Sequence, residues 1–196
     1  DNVRLYLVMA AHEAGHLEFG TFDLPIARLQ DLTEALTRRY GRRVSAEART
    51  LGDVFARYPQ PGLIRDLWAL VEDARVEYLL RAEYPGLSRD LAVIAKDAVT
   101  VRGLAHGMTV REMVVDQLLL LSTVEADAVQ IPDPVKREVT ELWELCQNIF
   151  HSHASAEEAV RLADRLYVRM DELLKVRREA IPSSDEAEAP EQSIPA

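Results

Sequence analysis

Residues 2 to 18, NVRLYLVMAAHEAGHLE, place Val3, Leu5, Leu7, Val8, Met9, Ala10 and Ala11 on nearly every side of a helix, then carry His12, Glu13 and His16 within the same segment. A helix that is apolar all round is one that a fold buries at its centre. Two imidazoles and a carboxylate buried with it would each cost on the order of a few kcal/mol if left without partners. The chain must therefore supply a second element, packed against this one, that answers those groups.

The rest of the sequence reads as further helices. Gly numbers only 8 in 196 residues, aromatics make up 6%, and Ala, Leu, Glu and Arg recur throughout, which favours helix over sheet. After a connection over Phe19 to Pro25, a helix from about Pro25 reaches Gly41, a plausible C-cap. A shorter stretch over Ser45 to Tyr58 is weakened by Gly52 and closed by the turn Pro59-Gln60-Pro61-Gly62. From Leu63 to Glu83, the residues Leu67, Leu70, Val71, Ala74 and Tyr78 form a stripe at helical spacing, and Tyr84-Pro85-Gly86 ends it. Ser88 caps a helix to about Gly103. Thr109-Val-Arg-Glu112 is a capping box that opens a helix to Val129; Pro132 and Pro134 introduce another over Asp133 to Ser152; and Ser155-Ala-Glu-Glu158 opens a last one to Arg178.

The expected fold is all-α: a compact bundle of about seven helices over residues 1–180, in which a buried HExxH helix packs against a carboxylate-bearing helix. Residues 181–196, low in apolar side chains, read as an acidic disordered tail or linker.

The formal charge is −10, of which Glu179, Asp185, Glu186, Glu188 and Glu191 account for half. An acidic chain of this kind argues against nucleic-acid binding, which needs a basic surface. No apolar run approaches the roughly 20 residues that cross a bilayer; the richest, Met113 to Val124, is interrupted by Asp116 and Gln117. Asp116 reads as an exposed break, and Trp68 and Trp143 as core. The single cysteine, Cys146, excludes an internal disulfide, suits a reducing cytoplasm, and reads as a small core residue. The start at Asp1 and the Pro/Ser/Glu-rich end suggest a domain excised from something longer.

The spacing His12-Glu13-Ala14-Gly15-His16 carries the chemistry. Residues four apart on a helix lie about 40° apart in azimuth and one turn along the axis, so both imidazoles can aim at one point. That makes His12 and His16 a pair of zinc ligands. Glu13 projects about 100° away, close enough to hold a water but not placed to ligate, which is the position of a general base in zinc peptidases. Gly15 is read as keeping the far side clear of bulk.

A tightly held zinc needs a third protein ligand. His106, His151 and His153 are weak candidates, at loop and helix-end positions. The better source is Leu70-Val71-Glu72-Asp73-Ala74-Arg75-Val76-Glu77, as in gluzincin-like peptidases, where one acid binds zinc and another a turn later orients a histidine. With the apolar stripe set to the core, Asp73 and Glu77 fall beside it and Glu72 toward the opposite edge. Asp73 is therefore the expected ligand, Glu77 its supporting partner, and Glu72 the alternative ligand. The competing account pairs these acids with Arg75 and Arg81 on a solvated face.

Residues 11–22, AHEAGHLEFGTF, followed by 70–87, LVEDARVEYLLRAEYPGL, resemble the helical region upstream of the von Willebrand factor A domain in NorD/CbbO-type proteins, named for activation of nitric oxide reductase and of Rubisco. The resemblance covers about the first half of the chain. It implies a cytoplasmic accessory protein that works with a MoxR-type AAA+ ATPase on a target metalloenzyme, with Zn2+ as its metal. Two alternatives stand beside it: an active zinc-dependent peptidase with Glu13 as general base, and a metal-free helical protein-interaction domain. A mostly helical chain shows no obvious edge strand on which a peptidase could lay its substrate.

Overall fold

The computed structural model describes residues 2–41, 47–101, 107–123 and 129–180. Among these residues there are eight α-helices and no strand. They are α1 (Asn2–Glu18), α2 (Gln30–Tyr40), α3 (Leu51–Phe55), α4 (Pro61–Glu83), α5 (Pro85–Val101), α6 (Val110–Thr123), α7 (Lys136–Cys146) and α8 (Ala156–Ala180). Short 3-10 turns at Ile26–Leu29, Asp133–Val135 and Gln147–Ile149 lead into or out of α2 and α7. The all-α bundle expected from the sequence is what the chain forms.

The helix ends follow local chemistry. Both capping boxes form: the Glu112 carboxylate accepts from the Thr109 amide at 2.7 Å, and Glu158 accepts from the Ser155 amide at 2.8 Å. A third, Thr50 with Asp53, opens α3. Gly41, at φ 63°, ends α2 in the left-handed conformation that a glycine adopts without penalty. Where Pro85 was expected only to stop a helix, it also starts one: α5 begins at Pro85, not Ser88, with Tyr84 as the joint. Proline lacks an N–H that a first-turn position would leave unpaired anyway, so one residue closes one helix and opens the next.

The centre of the bundle is α4. It packs against α8, α6, α5 and α1, and eleven of its residues are buried. Leu67 of α4, Leu118 of α6, Leu142 of α7 and Leu166 of α8 are fully shielded in one shared core, each contributing about 1.5–3 kcal/mol of apolar burial. Cys146 sits in that core, where burial pushes its thiol up to about 12. Trp68 and Trp143 pack against its edge. Asp116 is half-buried rather than exposed.

The apolar α1 is not the central helix. Only Val8 and Gly15 are buried, and Val3, Tyr6, Leu7, Met9 and Leu17 are all more than half exposed. It lies along one side of α4 and α5, tied to α5 by an ion pair of 3.0 Å between Arg4 and Asp90. Among the described residues no helix is long and apolar enough to cross a membrane. The helix after Thr109, expected to reach Val129, is described to Thr123, and Val129 is not helical; residues 124–128, the loop residue His106 and residues 181–196 lie outside the described residues.

Candidate metal centre

Gly15 sets where α1 meets α4. A Cβ at this position would lie 2.9 Å from Val76 Cγ1 and 3.0 Å from Leu80 Cδ1, so α1 seats against these two side chains as closely as it does because Gly15 has none of its own. Gly15 thus faces α4, and its role is to permit the helix crossing rather than to clear the far side. Asp73 lies one turn before Val76 on α4, and this crossing brings it level with the two imidazoles.

The three groups converge. His12 Nε2 and His16 Nε2 are 3.1 Å apart, and Asp73 Oδ1 is 3.4 Å from His16 Nε2 and 3.8 Å from His12 Nε2. Ligands about 2.0–2.1 Å from a tetrahedral metal ion are roughly 3.3 Å from one another, a spacing close to those of this triangle. Two imidazoles and one carboxylate are also a donor set that zinc accepts. The side chain of His16 is 12% exposed, that of His12 24% and that of Asp73 50%, so the carboxylate side is the one open to solvent. The Asp73 carboxylate raises the His12 pKa above 6.5, against the opposing effect of burial, with smaller contributions from the charges of Glu77 and Glu13.

The other acids are not members of this triangle. Glu13 is exposed on α1. Glu77 accepts from Arg81 Nη2 at 2.5 Å. Glu72, expected at the outer edge of its helix, is 1% exposed, because α4 is surrounded on nearly every side and the wheel drawn from its apolar stripe is too narrow. It is held by Arg75, through Nε at 2.8 Å and Nη2 at 2.5 Å. Arg75 and Glu72 do pair, as the competing account had it, but in the interior and not on a solvated face. His151 pairs with Glu158 at 3.5 Å, and His153 is exposed beside a separate cleft lined by Phe19, Arg75 and Ala154.

One residue of the site escaped sequence reasoning. Thr21 Oγ1 lies 3.0 Å from His16 Nδ1, the place where Glu77 was expected to act, and its hydroxyl donates to Glu72 Oε1 at 2.5 Å. The chain brings it there through a Schellman motif at the end of α1. Gly20 takes φ 69°, its amide donates to the Leu17 carbonyl, and the Thr21 amide donates back to the His16 carbonyl at 3.0 Å. The signal was present: a glycine just past a helix end folds the following residue over the last turn, and here that turn holds His16.

Comparison with known proteins gives no match to a family model, to a curated protein or to a solved structure.

Proposed function

We propose that this chain is a zinc-binding, metalloprotease-like helical domain of an ATPase-coupled metalloenzyme activator of the NorD/CbbO type. The observation that carries the metal half of this reading is the convergence of His12, His16 and Asp73, whose ligand atoms all lie within 4.8 Å of one another. His12 and His16 would hold the ion from α1 and Asp73 from α4, so that binding ties the exposed helix to the central one. Metal affinity becomes folding affinity for that junction. The activator half, with a MoxR-type AAA+ ATPase and a target metalloenzyme as cytoplasmic partners, is supported by the resemblance of residues 11–22 and 70–87.

Metal analysis of the protein purified without added metal tests the first half. One zinc per chain, lost in His16→Ala and in Asp73→Ala, is the expected result; zinc retained in both variants would sink it. For the second half, a MoxR-type ATPase should bind the chain and change its ATP turnover, and no change at saturating chain would refute the assignment.

Peptidase activity is a second reading, favoured by the solvent-open Asp73 side and by the exposed Glu13 next to His12. A bound zinc would supply Lewis acidity toward a carbonyl and a water. Glu13 would take the water's proton and pass it to the leaving amine. Glu13→Gln separates the readings: it should abolish cleavage of a generic peptide while leaving zinc content intact, whereas an activator that is not a peptidase shows no cleavage in either form.

A further inference from the structure

We infer that Thr21, anchored by the buried Glu72–Arg75 pair, is a positioning residue that fixes His16 in its Nδ1–H tautomer and so presents a bare Nε2 lone pair to the metal. This rests on the zinc reading above and assigns a function to residues that the ligand set leaves out.

The argument is one of donors and acceptors. Arg75 is fully buried, and all its hydrogen bonds run outward from the guanidinium: to both oxygens of Glu72, to the Phe19 carbonyl at 3.2 Å, to the Ala154 carbonyl at 3.1 Å and to Thr21 Oγ1 at 3.4 Å. Both Glu72 oxygens accept from the Arg75 guanidinium. The Thr21 hydroxyl has one proton and two lone pairs. Its proton goes to Glu72 Oε1 at 2.5 Å, so toward His16 Nδ1, 3.0 Å away, the oxygen has only a lone pair to offer. His16 must therefore donate from Nδ1, and the neutral ring then carries no proton on Nε2.

Nε2 is the atom that points at His12 and Asp73. The alternative tautomer would place a proton where the ion goes and set Nδ1 lone pair against Thr21 lone pair. An outer partner that orients a ligating imidazole is a general device of metal sites, and its loss costs about 10- to 100-fold in metal affinity. In this chain the partner is a neutral hydroxyl whose polarity is set by an ion pair one step further in. Glu72 thus acts on the site through Thr21 and not as a ligand.

The test reads the tautomer without any metal. In chelator-treated, metal-free protein at alkaline pH, the ring-nitrogen chemical shifts of His16 should report Nδ1–H in the wild type and in Thr21→Ser, and a mixture or Nε2–H in Thr21→Val. Zinc affinity, measured by competition with a chromophoric chelator, should be unchanged in Thr21→Ser and about 10- to 100-fold weaker in Thr21→Val. A wild-type His16 found as Nε2–H, or a Thr21→Val protein unchanged in both tautomer and affinity, overturns the inference. If Thr21→Val does not fold, the wild-type tautomer and the Thr21→Ser result decide alone. A chain that shows the expected tautomers but binds no zinc leaves this relay standing and removes the metal reading instead.

Discussion

The two helices that meet at the candidate centre are opposites in a way their compositions invert. α1 is the more apolar, yet it buries two residues and leaves Tyr6 74% and Leu17 70% exposed. α4 carries Glu72, Asp73, Arg75, Glu77 and Arg81, yet buries eleven residues, three of those charged ones among them. Burial here follows position in the bundle rather than hydropathy. α4 can go inside because its charges arrive in pairs three and four residues apart, Glu72 with Arg75 and Glu77 with Arg81, each partner within reach on the same helix. The His/Asp cluster is thus half on a rigid element and half on one held along a single edge.

The contrast can be broken in several places. The largest effect is expected from Arg75→Met, which leaves Glu72 buried with the Thr21 hydroxyl but no cation beside it; about 3–5 kcal/mol of stability should be lost in denaturant unfolding followed by circular dichroism. A loss below about 1 kcal/mol would mean that α4 is not the shielded helix described. Leu67→Ala, also on α4, should cost about 2–5 kcal/mol by the same measurement.

Gly15→Ala probes the junction itself. In an isolated helix the change would gain about 1 kcal/mol, but here the added methyl meets Val76 and Leu80. Overpacking of this kind costs about 1–3 kcal/mol, so the protein should be net destabilised or unchanged, with zinc affinity reduced as α1 is pushed off α4. A stabilised variant with full affinity would show that the helices do not cross at Gly15.

A smaller effect concerns pH. The Asp73 carboxylate raises the His12 pKa in the folded chain, so the metal-free fold holds this proton more tightly than the unfolded chain does. The resulting stability is fully present below about pH 6.5 and is lost as pH rises through the folded value. In Asp73→Asn the NMR titration of His12 should move down, and that part of the pH dependence should vanish; an unmoved titration would separate Asp73 from His12. Least of all should happen in Leu7→Ala, on the open face of α1, where stability should stay within about 0.5 kcal/mol. A cost like that of Leu67→Ala would abolish the contrast between the two helices.

Much of this was legible in the sequence because it is local. Capping boxes are read from residues three apart, and both proposed ones form; the HExxH spacing and an acid-bearing helix single out His12, His16 and Asp73, whose side-chain donor atoms lie within 4.8 Å of one another. What was not legible depends on tertiary placement. Hydropathy on every face of α1 is compatible with a central helix and with an exposed one, and only the packing of α4 decides. Glu72 reads as an outer-edge acid on a wheel drawn from apolar residues alone, since nothing local announces that Arg75 will neutralise it inside. Thr21 lies 51 residues from Glu72, and no periodicity links them.

The reach of Arg75 has a consequence for how the molecule opens. One guanidinium holds the Phe19 carbonyl, Glu72 and the Ala154 carbonyl, joining the loop after α1, the middle of α4 and the approach to α8 across sequence separations of 56 and 79 residues. Detaching α8 therefore loosens the turn that carries Thr21, so the end of α1 and the start of α8 are coupled through α4. Amide hydrogen exchange in that turn, though it sits near the surface, should proceed at the rate of the core and not at the rate of a fraying loop.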